Sequence, residues 1–158
     1  MELFDVCDEC GQPTGETVER SIAHRDGIPH RTAHVWIVRK EDQQIQILLQ
    51  KRHRNKDSFP GMYDTSSAGH IPAGSEPLES AIRELQEELG IEAAPENLHY
   101  AGSFHAEYAL PFHEQMFRDN EFVSVYVYDR SVGMDDIRIQ EDEIEKVDKK
   151  LFQEYATY

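Results

Sequence analysis

No run of about 18 apolar residues, the length a helix needs to cross a bilayer, occurs in this sequence. Nor does its start, MELFDVCDEC, carry the basic and then apolar pattern of a secretory leader. No membrane partner is expected, and a cytoplasmic location follows by default. Positive charge is scarce: 16 lysines and arginines stand against 31 aspartates and glutamates, a formal net charge of −15. Binding along a nucleic-acid polymer relies on cationic side chains displacing counterions, so this balance argues against that partner. It leaves room for a small phosphate ligand, because a bound cation reverses the local sign whatever the global charge. Cysteine is rare too. Cys7 and Cys10 form one CxxC without a second pair, and they read as flanks of a tight turn at Asp8-Glu9. His24 and His30 keep a zinc alternative open.

The 158 residues contain no repeat, low-complexity tract or proline-rich linker, so residues 1–158 read as one domain. A chain of this length buries roughly 68–70% of the surface its unfolded form exposes. Phe4 to Cys7 and Gln12 to Thr17 read as an amino-terminal hairpin, at about residues 3–17, followed by an irregular or helical turn through Ile22 and His24. Ala33 to Val38 and Ile45 to Gln50 read as an antiparallel pair around the polar turn Lys40-Glu41-Asp42-Gln43. A short segment, Met62 to Ser67, leads into Gly69. Leu98 to Tyr108 and Glu121 to Asp129 read as strands, and Ile144 to Tyr155 as a closing helix. Strands, a central helix, more strands and a last helix give an α+β mixed sheet with flanking helices.

The central helix carries the chemistry. It opens near Ser75, whose hydroxyl suits a cap, with Pro77 in the first turn, and it stops at Gly90. At about 100° per residue, Glu84, Glu87 and Glu88 share one side while Leu78, Ile82, Leu85 and Leu89 share the other. Three clustered carboxylates repel each other, and a divalent cation offsets that repulsion. Hard oxygen ligands suit Mg2+ or Mn2+.

The stretch from Gly69 to Ile91, GHIPAGSEPLESAIRELQEELGI, resembles the Nudix box. Arg83-Glu84-Leu85-Gln86-Glu87-Glu88-Leu89-Gly90-Ile91 matches its second half throughout, and Gly69 matches its start. One position departs: Ser75 stands where the family has its first glutamate, and Glu76 projects about 100° away around the helix. The resemblance implies a Nudix-type fold, an α/β/α sandwich with a loop-helix-loop motif. It implies Glu84, Glu87 and Glu88 as metal ligands, with Arg83 orienting a box glutamate. Gly69 and Gly74 would let the loop approach metal and phosphates closely. A homodimer is compatible with the family.

His30 through Trp36, Phe59-Pro60-Gly61 and Thr65 through His70 are similar to the branch containing type I isopentenyl diphosphate isomerase. Asp119-Asn120-Glu121 is similar to the acidic pair of those isomerases, which makes Glu121 a candidate general base or additional ligand. The resemblance also implies a second metal site from His24, His30 and His70 with Asp119 and Glu121. The isomerases have a cysteine immediately before the Gly-His pair, where this chain has Ala68. In the basic segment Lys51 to Lys56, Arg52 is the leading candidate for a phosphate contact, and Trp36, Phe59 and Tyr63 for an apolar wall. The expected activity is metal-dependent cleavage of a phosphoanhydride in a nucleoside diphosphate derivative or related small molecule, with Arg83, Glu84, Glu87, Glu88 and Glu121 in the reaction centre. An isomerase, or a module that binds without turnover, is the alternative.

Overall fold

Twelve consecutive residues, His30–Glu41, form the strand around which the other elements assemble. Described by a computed structural model are residues 1–56, 58–140, 144–146 and 152–155. In chain order, β1 (Leu3–Cys7) and β2 (Pro13–Glu19) make the amino-terminal hairpin, α1 (Arg20–Asp26) follows, and β3 is the central strand. Next come β4 (Gln44–Leu48), β5 (Gln50–Arg52), β6 (Tyr63–Asp64), β7 (Ser67–His70) and α2 (Pro77–Leu89). The long strands β8 (Leu98–Phe112) and β9 (Gln115–Tyr128) form a second hairpin, and β10 (Ile144–Lys146) and β11 (Phe152–Tyr155) complete the described elements.

The sheet is mixed, in the order β11-β4-β3-β9-β8, with β7 also on β3. Along one edge β3 pairs antiparallel with β7 through Thr32–Val35 and with β4 through Val38–Glu41. Along the other it runs parallel to β9, which sets His30 opposite Glu121. Successive residues of a strand face opposite sides. Ala33, Val35 and Ile37 therefore enter the core with Leu48, Leu85 and Leu89, whereas His30 turns to the other side, where its ring lies 5.1 Å from that of His24 on α1.

Helix α2 begins one residue later than its composition alone indicates. Glu76, not Ser75, is the cap, in extended conformation, and Glu79 Oε1 accepts from the Glu76 N–H at 3.2 Å. Pro77 is the reason: its ring disfavours helical backbone in the residue before it, so residue 76 stays extended and the helix starts at 77. At the other end Gly90 takes φ 69°, and its N–H reaches Gln86 O and Leu85 O. A Cβ there would also lie 2.9 Å from Arg138 Cβ.

The closing helix expected at Ile144 to Tyr155 is not found. Ile144–Lys146 pairs with β5 and Phe152–Tyr155 with β4, while 147–151 lie outside the described residues. Sheet partners override helix propensity when they satisfy a segment's backbone groups. The second hairpin is longer than its composition indicates, since β8 and β9 stay paired through Phe112 and Gln115.

Leu85 joins the helix to the sheet and is fully buried. Leu85→Ala should lower unfolding free energy by about 2–5 kcal/mol, the range for truncating a buried leucine. A urea titration followed by circular dichroism measures it, and a loss below about 1 kcal/mol would contradict this packing.

Candidate active site

A cavity of about 530 Å³ is bordered by Glu84, Glu87 and Glu88 of α2, Gly69 and His70 of β7, and Asp119 and Glu121 of β9. Arg52, Lys56 and Arg20 also border it. β7 leads directly into α2, whereas β9 lies well beyond them in sequence, and they meet because β7 and β9 flank the same central strand.

The helix presents its glutamates unequally. Glu88 is only 6% exposed, and Gln50 Nε2 donates to its Oε2 at 2.8 Å. Glu84 is half-buried against Gly69: a Cβ at that glycine would lie 2.6 Å from Glu84 Cγ and closer still to the carboxyl group. Hydrogen in place of a side chain is what lets Glu84 cross β7 toward the cavity. Glu87 is the most open, at 48% side-chain exposure. Arg83 does not border the cavity. Its Nη2 lies 3.2 Å from Glu84 Oε1 and its Nε 3.7 Å from Glu87 Oε1, so it draws both carboxylates to one side of the helix. These three glutamates share a wall without converging within 4.8 Å of one another. Their fit to a divalent cation rests on the chemistry of the donor set, three carboxylates of one helix that border one cavity with hard oxygen atoms.

A second cluster borders the same cavity through His70, Asp119 and Glu121. Ligand atoms of His24, His30 and His70 come within 4.8 Å of one another, as do those of His30, Asp119 and Glu121. The Nδ1–H of His30 donates to Ile28 O at 2.8 Å, which leaves Nε2 as the lone-pair nitrogen, 3.4 Å from Asp119 Oδ1. His24 Nε2 lies 3.6 Å from the same oxygen. Both Nε2 atoms are buried without a hydrogen-bond partner. Burial pushes His30 and, further, His70 below the ordinary imidazole range, so they stay neutral. Burial and then contact with Asp119 hold Glu121 well above the ordinary carboxylate range. Neutral imidazoles with orphaned nitrogens beside acid groups are the donor set that a transition metal or zinc ion satisfies. Phe4 forms the floor: its ring stacks on His30 at 4.9 Å and on His70 at 4.6 Å.

Arg52 is held in place as well as brought to the cavity. Its Nε donates to Ser58 O at 3.1 Å, its Nη2 to Ser58 Oγ at 3.3 Å, and its Nη1 to Asp64 Oδ2 at 3.4 Å. Phe59 and Tyr63 border the cavity, but Trp36 and Gly74 do not. Gly74 serves the loop by its backbone, its N–H donating to Asp5 Oδ2 at 2.9 Å. Gln50, Phe4 and Asp5, and Tyr108, which also borders the cavity, belong to no motif in the sequence. Gln50 stands out locally only as the polar residue that ends the segment Ile45 to Gln50, directly after the apolar Ile47-Leu48-Leu49.

Against known proteins, the NUDIX domain family matches residues 28–155. A protein of Clostridium acetobutylicum named as an uncharacterized Nudix hydrolase is 36% identical over 157 residues, covering 99% of this chain and 73% of that one. Nudix hydrolase 3 of Arabidopsis thaliana is 38% identical over 159 residues, 99% of this chain but 20% of the plant protein, of which the chain spans about a fifth. Among solved structures, one from Deinococcus radiodurans has a TM-score of 0.68 at 20% identity, covering 93% of this chain and 82% of that one. The NUDIX domain of Shewanella oneidensis NrtR, solved with ADP ribose, has a TM-score of 0.56 at 16% identity, with 75% and 70% covered. Likeness at these identities shows a shared fold.

Gly69→Ala tests the packing under Glu84. The added methyl must displace the carboxylate, and affinity for Mn2+ at the helix, followed by electron paramagnetic resonance, should fall at least about tenfold, as for loss of a supporting contact at a metal ligand. Unchanged affinity would mean that Glu84 is no ligand.

Proposed function

The chain belongs to the NUDIX domain family, and from that membership we propose that it is a divalent-metal-dependent diphosphate hydrolase. Its substrate is a nucleoside diphosphate derivative or a related small molecule, and its products are two phosphate-bearing fragments or a fragment and phosphate. The observation that carries this reading is that Glu84, Glu87 and Glu88 border the same cavity as Arg52 and Lys56. Carboxylates there would hold Mg2+ or Mn2+, and the cationic pair would receive the phosphate oxygens that the metal leaves exposed.

A bound metal supplies Lewis-acid polarisation of the phosphoryl group and a more acidic water. The residues of the chain do the rest. Arg52, locked by Ser58 and Asp64, orients the diphosphate with a planar fork of donors. Gln50 keeps Glu88 turned inward, and Arg83 keeps Glu84 and Glu87 together. As the water oxygen bonds to phosphorus and the bridging P–O bond breaks, a carboxylate accepts the water proton. Glu121 also borders the cavity and is the candidate for that role or for an additional ligand, once a bound cation has displaced the proton that burial favours on it.

The second cluster supports a finer assignment to the isomerase-like branch, with His24, His30, His70, Asp119 and Glu121 holding a second cation. Ala68 lies on β7 beside the cavity, and its methyl group cannot exchange a proton with carbon as an isomerase thiol does. Hydrolysis is therefore favoured over a double-bond shift.

A panel of nucleoside diphosphates, nucleotide sugars, dinucleotides and isopentenyl diphosphate, each with Mg2+ and with Mn2+, tests the assignment. Phosphate or monophosphate release is expected; a double-bond shift, or binding without turnover, would replace it. Glu87→Gln and Glu88→Gln should each slow hydrolysis at least about 100-fold, the scale of a lost electrostatic group at a reaction centre. Folded variants with near-normal rates would remove these carboxylates from the reaction. In metal-binding titrations His30→Gln should lower the stoichiometry by one ion, and an unchanged stoichiometry would dismiss the second site.

A further inference from the structure

The box is one carboxylate short at Ser75, and the fold brings a carboxylate to the same loop from outside it. Asp5 lies on β1, ahead of the residues that the family pattern matches. Its Oδ2 accepts from the Gly74 N–H at 2.9 Å and from Arg31 Nη2 at 2.9 Å. The same Nη2 donates to Ser75 O at 2.9 Å. Asp5 and Arg31 thus grip Gly74 and Ser75 from both backbone ends, one at the amide and the other at the carbonyl. They do so in an enclosed place, with side-chain exposures of 14% and 11%. Main-chain bonds extend the grip: the Ala73 N–H donates to Leu3 O at 2.8 Å, and the Ile71 N–H to Arg31 O at 2.9 Å.

We propose that Asp5 and Arg31 are positioning residues for the hydrolysis, with Asp5 supplying the loop-anchoring charge that position 75 lacks. The inference rests on the hydrolase reading above. Helix α2 starts at Pro77, two residues past the gripped pair, and Glu84, Glu87 and Glu88 ride on it as one rigid body. A shift of the loop displaces all three carboxylates together. Removing Asp5 leaves the Arg31 guanidinium enclosed without its carboxylate, while its Nε already lacks a hydrogen-bond partner. The neighbouring backbone must then move to solvate it. Because Arg31 reaches the Ser75 carbonyl, a glutamate at 75 starts beside the same guanidinium and can take over as its partner.

A double-mutant cycle tests this, using Asp5→Ala, Asp5→Asn, Ser75→Glu and the Asp5→Ala/Ser75→Glu pair. Each variant is assayed for kcat and KM on the diphosphate the panel identifies, and for amide exchange at residues 73–76 in metal-free protein. Asp5→Ala should lower kcat about 10- to 100-fold with KM within about threefold, the signature of misplaced reacting groups. Asp5→Asn keeps an acceptor for Gly74 without the charge and should fall between. Ser75→Glu alone should change kcat by less than about threefold, yet restore at least about tenfold in the Asp5→Ala background, a coupling that independent sites do not show. Exchange at the Gly74 amide should quicken in Asp5→Ala and slow again in the pair.

Equal effects of Ser75→Glu in both backgrounds would overturn the proposal. So would an Asp5→Ala protein that loses thermal stability but keeps its kcat below the transition. A wild-type protein that turns over no diphosphate sinks the hydrolase reading instead. The exchange data then decide the loop anchor by themselves, and unchanged exchange at Gly74 overturns it.

Discussion

Glu88 on α2 and Asp119 on β9 are both almost wholly withdrawn from water along the rim of one cavity, with Glu84, Glu87 and Glu121 beside them. Carboxylates placed this way lose hydration and repel one another, and each must be neutralised, hydrogen-bonded or protonated for the fold to tolerate it. Gln50 supplies an amide donor to Glu88, and Arg83 a guanidinium to Glu84 and Glu87. Burial and the charge of Asp119 favour protonated Glu121. A carboxylate has two oxygens and accepts several partners, so a divalent cation in the cavity can be held by the same groups. In the hydrolysis proposed above the same carboxylates would hold the metal, which is a reason for a Nudix hydrolase to retain this electrostatic cost.

Strand β3 makes the arrangement possible. Its inner residues, Ala33, Val35 and Ile37, anchor α2 through Leu85 and Leu89, and its first residue, His30, belongs to the second cluster. Hydrophobic packing on one face thus fixes the distance across which polar groups meet at the rim. The hairpin β1–β2 adds to this from outside the family pattern. Phe4 fills the floor beneath the histidines, and Asp5 ties down the loop ahead of the helix. Two adjacent residues of one strand serve both clusters because their side chains leave opposite faces.

Much of this was legible locally. Periodicity marked α2 and its acidic side, Gly90 marked its end, and Gly69 and the Arg83 to Ile91 run carried the family resemblance. Helix faces and caps follow from neighbours within four residues, so a sequence displays them directly. The carboxyl-terminal strands were missed because the segment from Ile144 has mixed charges that suit a helix, whereas its state depends on edges offered by β4 and β5. Serine suits a cap and points to Ser75, whereas the constraint from Pro77 acts on residue 76 and makes Glu76 the cap.

The amino-acid sequence by itself determined which residues could act as ligands, since three glutamates at helical spacing behind a glycine keep their relative positions wherever the helix goes. Only the tertiary structure decided what those glutamates face. That Gln50 holds Glu88, that His24, His30 and His70 converge with Asp119 and Glu121, and that Asp5 reaches Gly74 are matters of strand register. Register is set by long-range pairing, in which a slip of one residue turns every side chain to the opposite face.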